Sequence, residues 1–238
     1  MTPGRAERRD ELRAALDDVE QRLVAACTAA GRPRDDVHLI AVTKTRPASD
    51  VALLAELGVR DVGESKDQEA SAKAAELAPV VPALRWHLVG RLQRNKARSV
   101  ARYAHAVHSV DRLPLVAALS AGAVGAGRAV EVLLQVSLDG DPGRGGALPA
   151  DVPALAEAVA IADGLRLRGV MAVAPLGAAA EPAFARLARV AERLRADHPE
   201  ATAVSAGMSG DLEAAVAAGA THVRVGTALL GQRPPPCL

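Results

Sequence analysis

VHLIAVT, residues 37–43, is a short apolar and partly β-branched run that ends at Lys44. A run of that length and composition suits a buried strand. Similar runs recur at 59–63, 84–90 (LRWHLVG), 105–109, 130–138 (VEVLLQVSL), 165–172 (LRLRGVMA), 201–205 and 221–226 (THVRVG), with weaker patterns in the second, fourth and seventh of the eight. Between them lie Ala/Leu/Glu/Arg-rich stretches of helical period at 50–57, 67–78, 151–163, 181–196 and 210–218. Strands alternating with helices of that size predict βαβ units and a parallel sheet. Eight such units in 238 residues predict an α/β fold, a (β/α)8 TIM barrel. A doubly wound open sheet is the alternative, but no G-x-G-x-x-G follows the first strand.

Upstream of that strand, Leu12, Leu16, Val19, Leu23 and Cys27 recur at spacings of three and four, which predicts an extra amphipathic N-terminal helix ended by Gly31 and Pro33. The expected organisation is one domain over 1–238, with the helix in 1–36, the barrel in 37–231 and a frayed tail, QRPPPCL, at 232–238. The Gly-, Ala- and Pro-rich turns after the fifth strand (GDPGRGGALP) and the sixth (PLGAAAEP) read as mobile rim loops.

Composition excludes several classes. The 29 Lys and Arg against 28 Asp and Glu leave a net charge of +1, with no general attraction to nucleic acid or anionic lipid. Trp86, Tyr103 and Phe184 are the whole aromatic set, too few for a base-stacking platform. The stretch from Leu113 to Gly127 is uncharged but is broken by Pro114 and three glycines, and falls short of the ~20 residues of a membrane helix. The charged N-terminus MTPGRAERRDELRAAL lacks the apolar core of a secretory signal. Cys27 and Cys237 form no metal or disulfide motif. A cytoplasmic protein is expected, and a monomer, because no long apolar surface helix is left once the barrel is covered.

In an α/β barrel, function collects at the C-terminal ends of the strands, with phosphate often bound after the seventh and eighth. That rule nominates Lys44, Glu64, Ser65, His87 through Gly90, Gln135, Ser137, Met171, the SAGMS segment 205–209 and the RVGT segment 224–227. A lysine at a strand end can simply snorkel to solvent. Desolvation beside another cation would instead lower its pKa and let the neutral amine attack an aldehyde. In the SAGMS segment, Ser209 reads as the N-cap of the following helix. Gly226 and Thr227 open a short turn after the last strand, and the two segments together read either as ordinary capped turns or as an anion cradle. A lysine across the mouth from a phosphate cradle suggests a phosphorylated aldehyde, and pyridoxal 5′-phosphate (PLP) fits that description.

Several ordered blocks resemble the YggS/PROSC-type PLP homeostasis proteins, relatives of the alanine racemase barrel. They are AVTKTRPAS (41–49), DVGESKDQEA (61–70), RWHLVGRLQRNKAR (85–98), HSVDR (108–112), LRGVMAVAP (167–175) and SAGMSGDLEAAVAAGATHVRVGTALLG (205–231). The resemblance implies a fold-type III barrel with PLP as cofactor and Lys44 as its Schiff-base lysine. It implies Arg224 facing the pyridine nitrogen, and Ser209, Gly226 and Thr227 holding the phosphate. Ser205, Gly207 and Met208 of the same block complete the expected cofactor site. Ser65, Ser137 and Arg144 depart from the residues usual at those places. Ser65 and Gln68 can also be read as a capping box, and His87 as either a contact at the cofactor rim or a satisfied core histidine.

A racemase needs acid/base groups on both faces of the substrate carbon. The racemases this barrel resembles use a tyrosine and an extra β-domain. Here the one tyrosine, Tyr103, precedes the fourth strand, and only Thr227–Leu238 follow the eighth. An arginine at the ring nitrogen also leaves the pyridine neutral and a weaker electron sink. The expected function is therefore to hold, buffer or deliver PLP, possible recipients being PLP-dependent apo-enzymes, without substantial turnover. A weak amino-acid racemase, an aldolase-like phosphosugar barrel and a pure scaffold are the alternatives.

Overall fold

A computed structural model describes residues 4–141, 143–175, 177 and 179–232. The tail beyond Gln232, with Cys237, and parts of both rim loops therefore lie outside the described residues. The strands are β1 (His38–Val42), β2 (Asp61–Glu64), β3 (Arg85–Leu88), β4 (Ala106–Val110), β5 (Val130–Gln135), β6 (Leu165–Met171), β7 (Ala203–Ser205) and β8 (His222–Val225). All pair in parallel with their sequence neighbours, and β8 returns to β1 through pairs such as Ile40 with Arg224, closing the barrel. Every expected strand is present. The second and seventh begin two residues later than their apolar patterns, because Val59 and Ala201 pack before the ladder starts.

The helices are α1 (Arg5–Ala29), α2 (Ala48–Glu56), α3 (Asp67–Leu77), α4 (Ala97–Val100), α5 (Leu113–Gly125), α6 (Val152–Ala160), α7 (Ala180–Asp197), α8 (Leu212–Ala217) and α9 (Thr227–Leu230). The uncharged stretch from Leu113 supplies α5, with Pro114 in its first turn, where a missing N–H is harmless. Apolar on nearly every face, it hides from a periodicity search. Gly122 lets it approach α4 closely, since a Cβ there would lie 3.0 Å from the Arg98 Cα. Helix α4 is one turn long and follows directly on a 3-10 turn at Arg94–Lys96.

Helix α1 buries Leu12, Val19, Leu23, Ala26 and Cys27. It is tied across the seam between the two ends of the barrel. Arg8 pairs with Asp50 at 2.8 Å, Arg22 with Glu213 at 2.8 Å, and Arg32 donates to the Val216 and Ala220 carbonyls at 2.9 Å. Between strands and helices lies an apolar layer of Ala, Val and Leu, with Phe184 its largest fully buried member. Inside the barrel the filling is mixed. Leu133, Met171 and Ala203 form a small apolar cluster, whereas His87, His108, Ser205 and Arg224 form a polar column. At β6, Gly169 has φ +151°, and a Cβ there would fall 1.8 Å from the Ala203 carbonyl oxygen, so the irregularity in that strand requires glycine.

Candidate active site

Lys44 lies two residues past the end of β1, after Thr43, and is half-buried at the C-terminal mouth. The next residue, Thr45, has φ +65°, the one non-glycine residue among those described in the left-handed region. A β-branched residue adopts that conformation only when its surroundings enforce it. The enforcing contact is Glu69 Oε1, which accepts from the Thr45 N–H at 2.6 Å. Lys73, one turn further along α3, donates to Glu69 at 2.6 Å, to Glu64 at 2.7 Å and to the Thr43 carbonyl at 2.9 Å, while the Thr43 hydroxyl donates to Glu64 at 2.7 Å. Burial raises the Glu64 pKa against the pull of Lys73 and Thr43. The turn that presents Lys44 thus rests on a buried lysine–carboxylate cluster between β1, β2 and α3. Of its members the sequence nominated only Glu64; the Glu69/Lys73 spacing of four on a helix was the available signal.

Arg224 enters the barrel from β8 and is 4% exposed. It donates to the Ser205 hydroxyl at 2.7 Å and to the Ala172 carbonyl at 2.9 Å, and burial lowers its pKa to about 10. Its backbone N–H donates to the Gly207 carbonyl at 2.9 Å, locking β8 to the SAGMS segment. Gly207, at φ +87°, turns that segment where a Cβ would collide with Ala215 at 2.6 Å. Met208 is exposed and Ser209 half-buried. Ser209 is not the N-cap of α8: that place belongs to Asp211, whose carboxylate accepts from the Met208 N–H at 2.6 Å. The Ser209 hydroxyl instead accepts from the Ala228 N–H at 3.2 Å, which brings the SAGMS turn beside Gly226 and Thr227 at the start of α9. A hydroxyl and first-turn N–H groups gathered at one helix start suit a phosphate. This donor set, with a lysine amine and a buried guanidinium, fits PLP.

Ser65 and Gln68 form no capping box; α3 starts after Lys66 without a side-chain cap. Ser137 is buried and accepts from the Gly140 N–H at 3.0 Å. Arg144 donates to the Val173 and Ala174 carbonyls at 2.8 and 2.7 Å, and its own carbonyl accepts from Gln135 at 3.2 Å. The described part of the loop after β5 is thereby pinned over the end of β6, despite the mobility its glycines suggest. His87 is a buried, fully bonded histidine, 2.8 Å from Asp61 and 2.9 Å from His108. Neither Asp61 nor His108 stood among the strand-end nominees. Tyr103 donates to Asp67 at 3.3 Å, and burial raises its pKa, so the phenol keeps its proton.

Fold and site together define a barrel of the alanine racemase N-terminal type, and the family model of the alanine racemase N-terminal domain matches residues 15–234. The pyridoxal phosphate homeostasis protein of Mycobacterium tuberculosis is 48% identical, over 95% of this chain and 95% of its own. That of Escherichia coli is 37% identical, over 92% and 95%. The structure of PipY from Synechococcus elongatus with PLP bound superposes with a TM-score of 0.80 at 36% identity, over 92% of this chain and 100% of PipY. This chain belongs to the family of pyridoxal phosphate homeostasis proteins.

Proposed function

We propose that this protein binds PLP, holds it on Lys44 and serves its homeostasis by buffering or delivery, without substantial turnover. The observation that carries the reading is that Lys44, at the turn after β1, and the buried Arg224, on the neighbouring strand β8, belong to adjacent strands of the barrel. When bound, the cofactor supplies an electrophilic aldehyde that a primary amine captures reversibly. The residues divide the remaining work. Arg224 directs a donor at the ring nitrogen, while Ser209, Gly226 and Thr227 take the phosphate. Ser205 and Gly207 act beneath them, holding Arg224 and the turn, and Met208 covers the rim.

The PLP-bound PipY supports PLP as the ligand, and the relatives named for PLP homeostasis support the role. We read the whole chain, 1–238, as one such unit, monomeric and cytoplasmic, with PLP-dependent apo-enzymes as recipients. Among the described residues no helix is long and apolar enough to cross a membrane. The phenol that racemases of this barrel type bring to the substrate has no counterpart at Lys44, since Tyr103 donates to Asp67.

Titration of the purified protein with PLP tests the reading, with visible absorption followed for the wild type beside Lys44→Ala. A new band is expected in the first and not in the second, followed by cofactor transfer to an apo-enzyme without turnover of free amino acids. No band in either protein would overturn cofactor binding; steady amino-acid turnover would overturn the carrier role.

A further inference from the structure

Arg224 poses an electrostatic problem. It is a buried cation, yet among the described residues no carboxylate pairs with it, and its side-chain hydrogen bonds go to a serine hydroxyl and a carbonyl. Asp211 acts on it through space without touching it, and a buried charge with no counter-ion in contact is strongly disfavoured. A line of short contacts leads away from it through the barrel interior. Arg224 reaches Ser205 Oγ at 2.7 Å, Ser205 Oγ reaches His108 Nδ1 at 3.0 Å, His108 Nε2 reaches His87 Nδ1 at 2.9 Å, and His87 Nε2 reaches Asp61 at 2.8 Å.

With one proton on each ring, donor and acceptor rules give this line a single direction. Arg224 can only donate, so Ser205 accepts from it and passes its own hydrogen to His108 Nδ1. His108 then donates from Nε2 to His87 Nδ1, and His87 donates from Nε2 to the Asp61 carboxylate. The opposite order, with neutral rings, would aim the His87 lone pair at a carboxylate and leave the Ser205 hydrogen without an acceptor. Every bond therefore points from the cation to the anion, and dipoles so aligned reinforce one another. Burial keeps the His108 pKa well below the usual imidazole value, in keeping with a neutral ring. At the far end, burial opposes ionisation of Asp61, but hydrogen bonds from His87 and Arg85 hold its pKa down to about 2.

We propose that His87 and His108 are positioning residues for Arg224: with Ser205 they join it to Asp61, which adds a second, distant counter-charge to that of Asp211 and leaves the guanidinium's remaining donors free for a neutral ring nitrogen. A carboxylate in direct contact would occupy the guanidinium fork and compete with the cofactor. The inference rests on the reading of Arg224 as the partner of the PLP ring. Around the chain's outer end, His38, Arg85, His105, Glu131, Arg168 and His222 line a cavity of about 380 Å³ at the N-terminal floor of the barrel. There Arg85 pairs with Asp61, and Glu131 faces His105 and Arg168.

The chain itself is tested on the ligand-free protein by 15N NMR of its histidine rings near neutral pH. His108 and His87 are each expected to carry one proton, on Nε2. A proton on His108 Nδ1, or a doubly protonated ring, would overturn the chain. Its effect on Arg224 is tested with Asp61→Asn, which keeps the shape and an acceptor but removes the charge, beside Ser205→Ala and the control Arg85→Gln. Asp61→Asn is expected to shift the absorption of bound PLP in the same direction as Ser205→Ala and to weaken PLP binding about fivefold, the equivalent of one net hydrogen bond. Arg85→Gln is expected to leave both near wild type. A shift in Ser205→Ala alone would overturn the role of Asp61. Absence of PLP binding in the wild type would count against the cofactor reading, and the NMR result would still decide the chain.

Discussion

The two cationic residues of the proposed cofactor site, Lys44 and Arg224, are supported in opposite ways. Beneath Lys44 lies a cluster of full charges, Lys73 between Glu64 and Glu69, wedged between the barrel wall and α3. Beneath Arg224 lies a column of two imidazoles and a hydroxyl, with no carboxylate in contact, inside the barrel. The first arrangement is strong enough to hold a strained turn. The second orients a donor without occupying it. A reactive amine needs a fixed backbone, whereas a ring-binding guanidinium needs free hydrogens, and each support matches its task.

The largest test of this contrast is Lys73→Met. It leaves Glu64, 1% exposed, as an unpaired buried carboxylate, and breaking a buried pair from one side costs about 3–5 kcal/mol. Urea denaturation is expected to show that loss, and adding Glu64→Gln to recover much of it. An unchanged midpoint in the single variant would mean that the cluster does not support the Lys44 turn.

His108→Leu comes next. It strands the Ser205 hydroxyl and one His87 nitrogen, each worth roughly 1–3 kcal/mol when buried without a partner. Ser205 keeps Arg224 and His87 keeps Asp61, so each falls in the lower part of that range; a loss of about 2–4 kcal/mol is expected by denaturation, smaller than for Lys73 because no full charge is uncovered.

Acid gives a graded version of the same test. His222 is held down to about 3 by burial, and also by the nearby His38. A group with a lowered imidazole pKa binds its proton more readily unfolded, so stability falls as the pH drops from about 6.5 toward 3. Asp61, depressed to about 2, stabilises the fold above the ordinary carboxylate pKa, and that contribution is lost only as the pH falls from about 4. Between pH 7 and 5 the buried histidines therefore dominate. His222→Gln is expected to lose less stability over that interval than wild type, as read from urea midpoints at the two pH values; an equal loss would place the acid sensitivity elsewhere.

The smallest effect belongs to the outer strap. Arg22 and Glu213 pair at 2.8 Å, but their side chains are 35% and 51% exposed, and such bridges contribute about 0–1 kcal/mol. Glu213→Gln is expected to fall in that range, and a loss of several kcal/mol would show that α1 holds the barrel seam more tightly than this pairing allows.

Much of the fold was legible because a parallel barrel repeats one signal: an apolar strand, then an amphipathic helix. Helix α5 escaped because its faces are nearly all apolar, and α4 because one turn gives no period. Lys44, Ser209, Arg224 and Gly226 were legible because they sit where strands end. The supports were not. His108, His87 and Asp61 come from three different strands, and only barrel closure brings them into line with Ser205 and Arg224. The cap assigned to Ser209 failed for a similar reason: its partner is Ala228, on an element that local sequence does not place beside it.

The most direct test of the account is to trap the cofactor where it binds. The protein would be loaded with PLP, reduced with borohydride, digested and mapped by mass spectrometry. The account expects one pyridoxyl adduct, on Lys44. An adduct on another lysine such as Lys66, Lys73 or Lys96, with Lys44 unmodified, would contradict it.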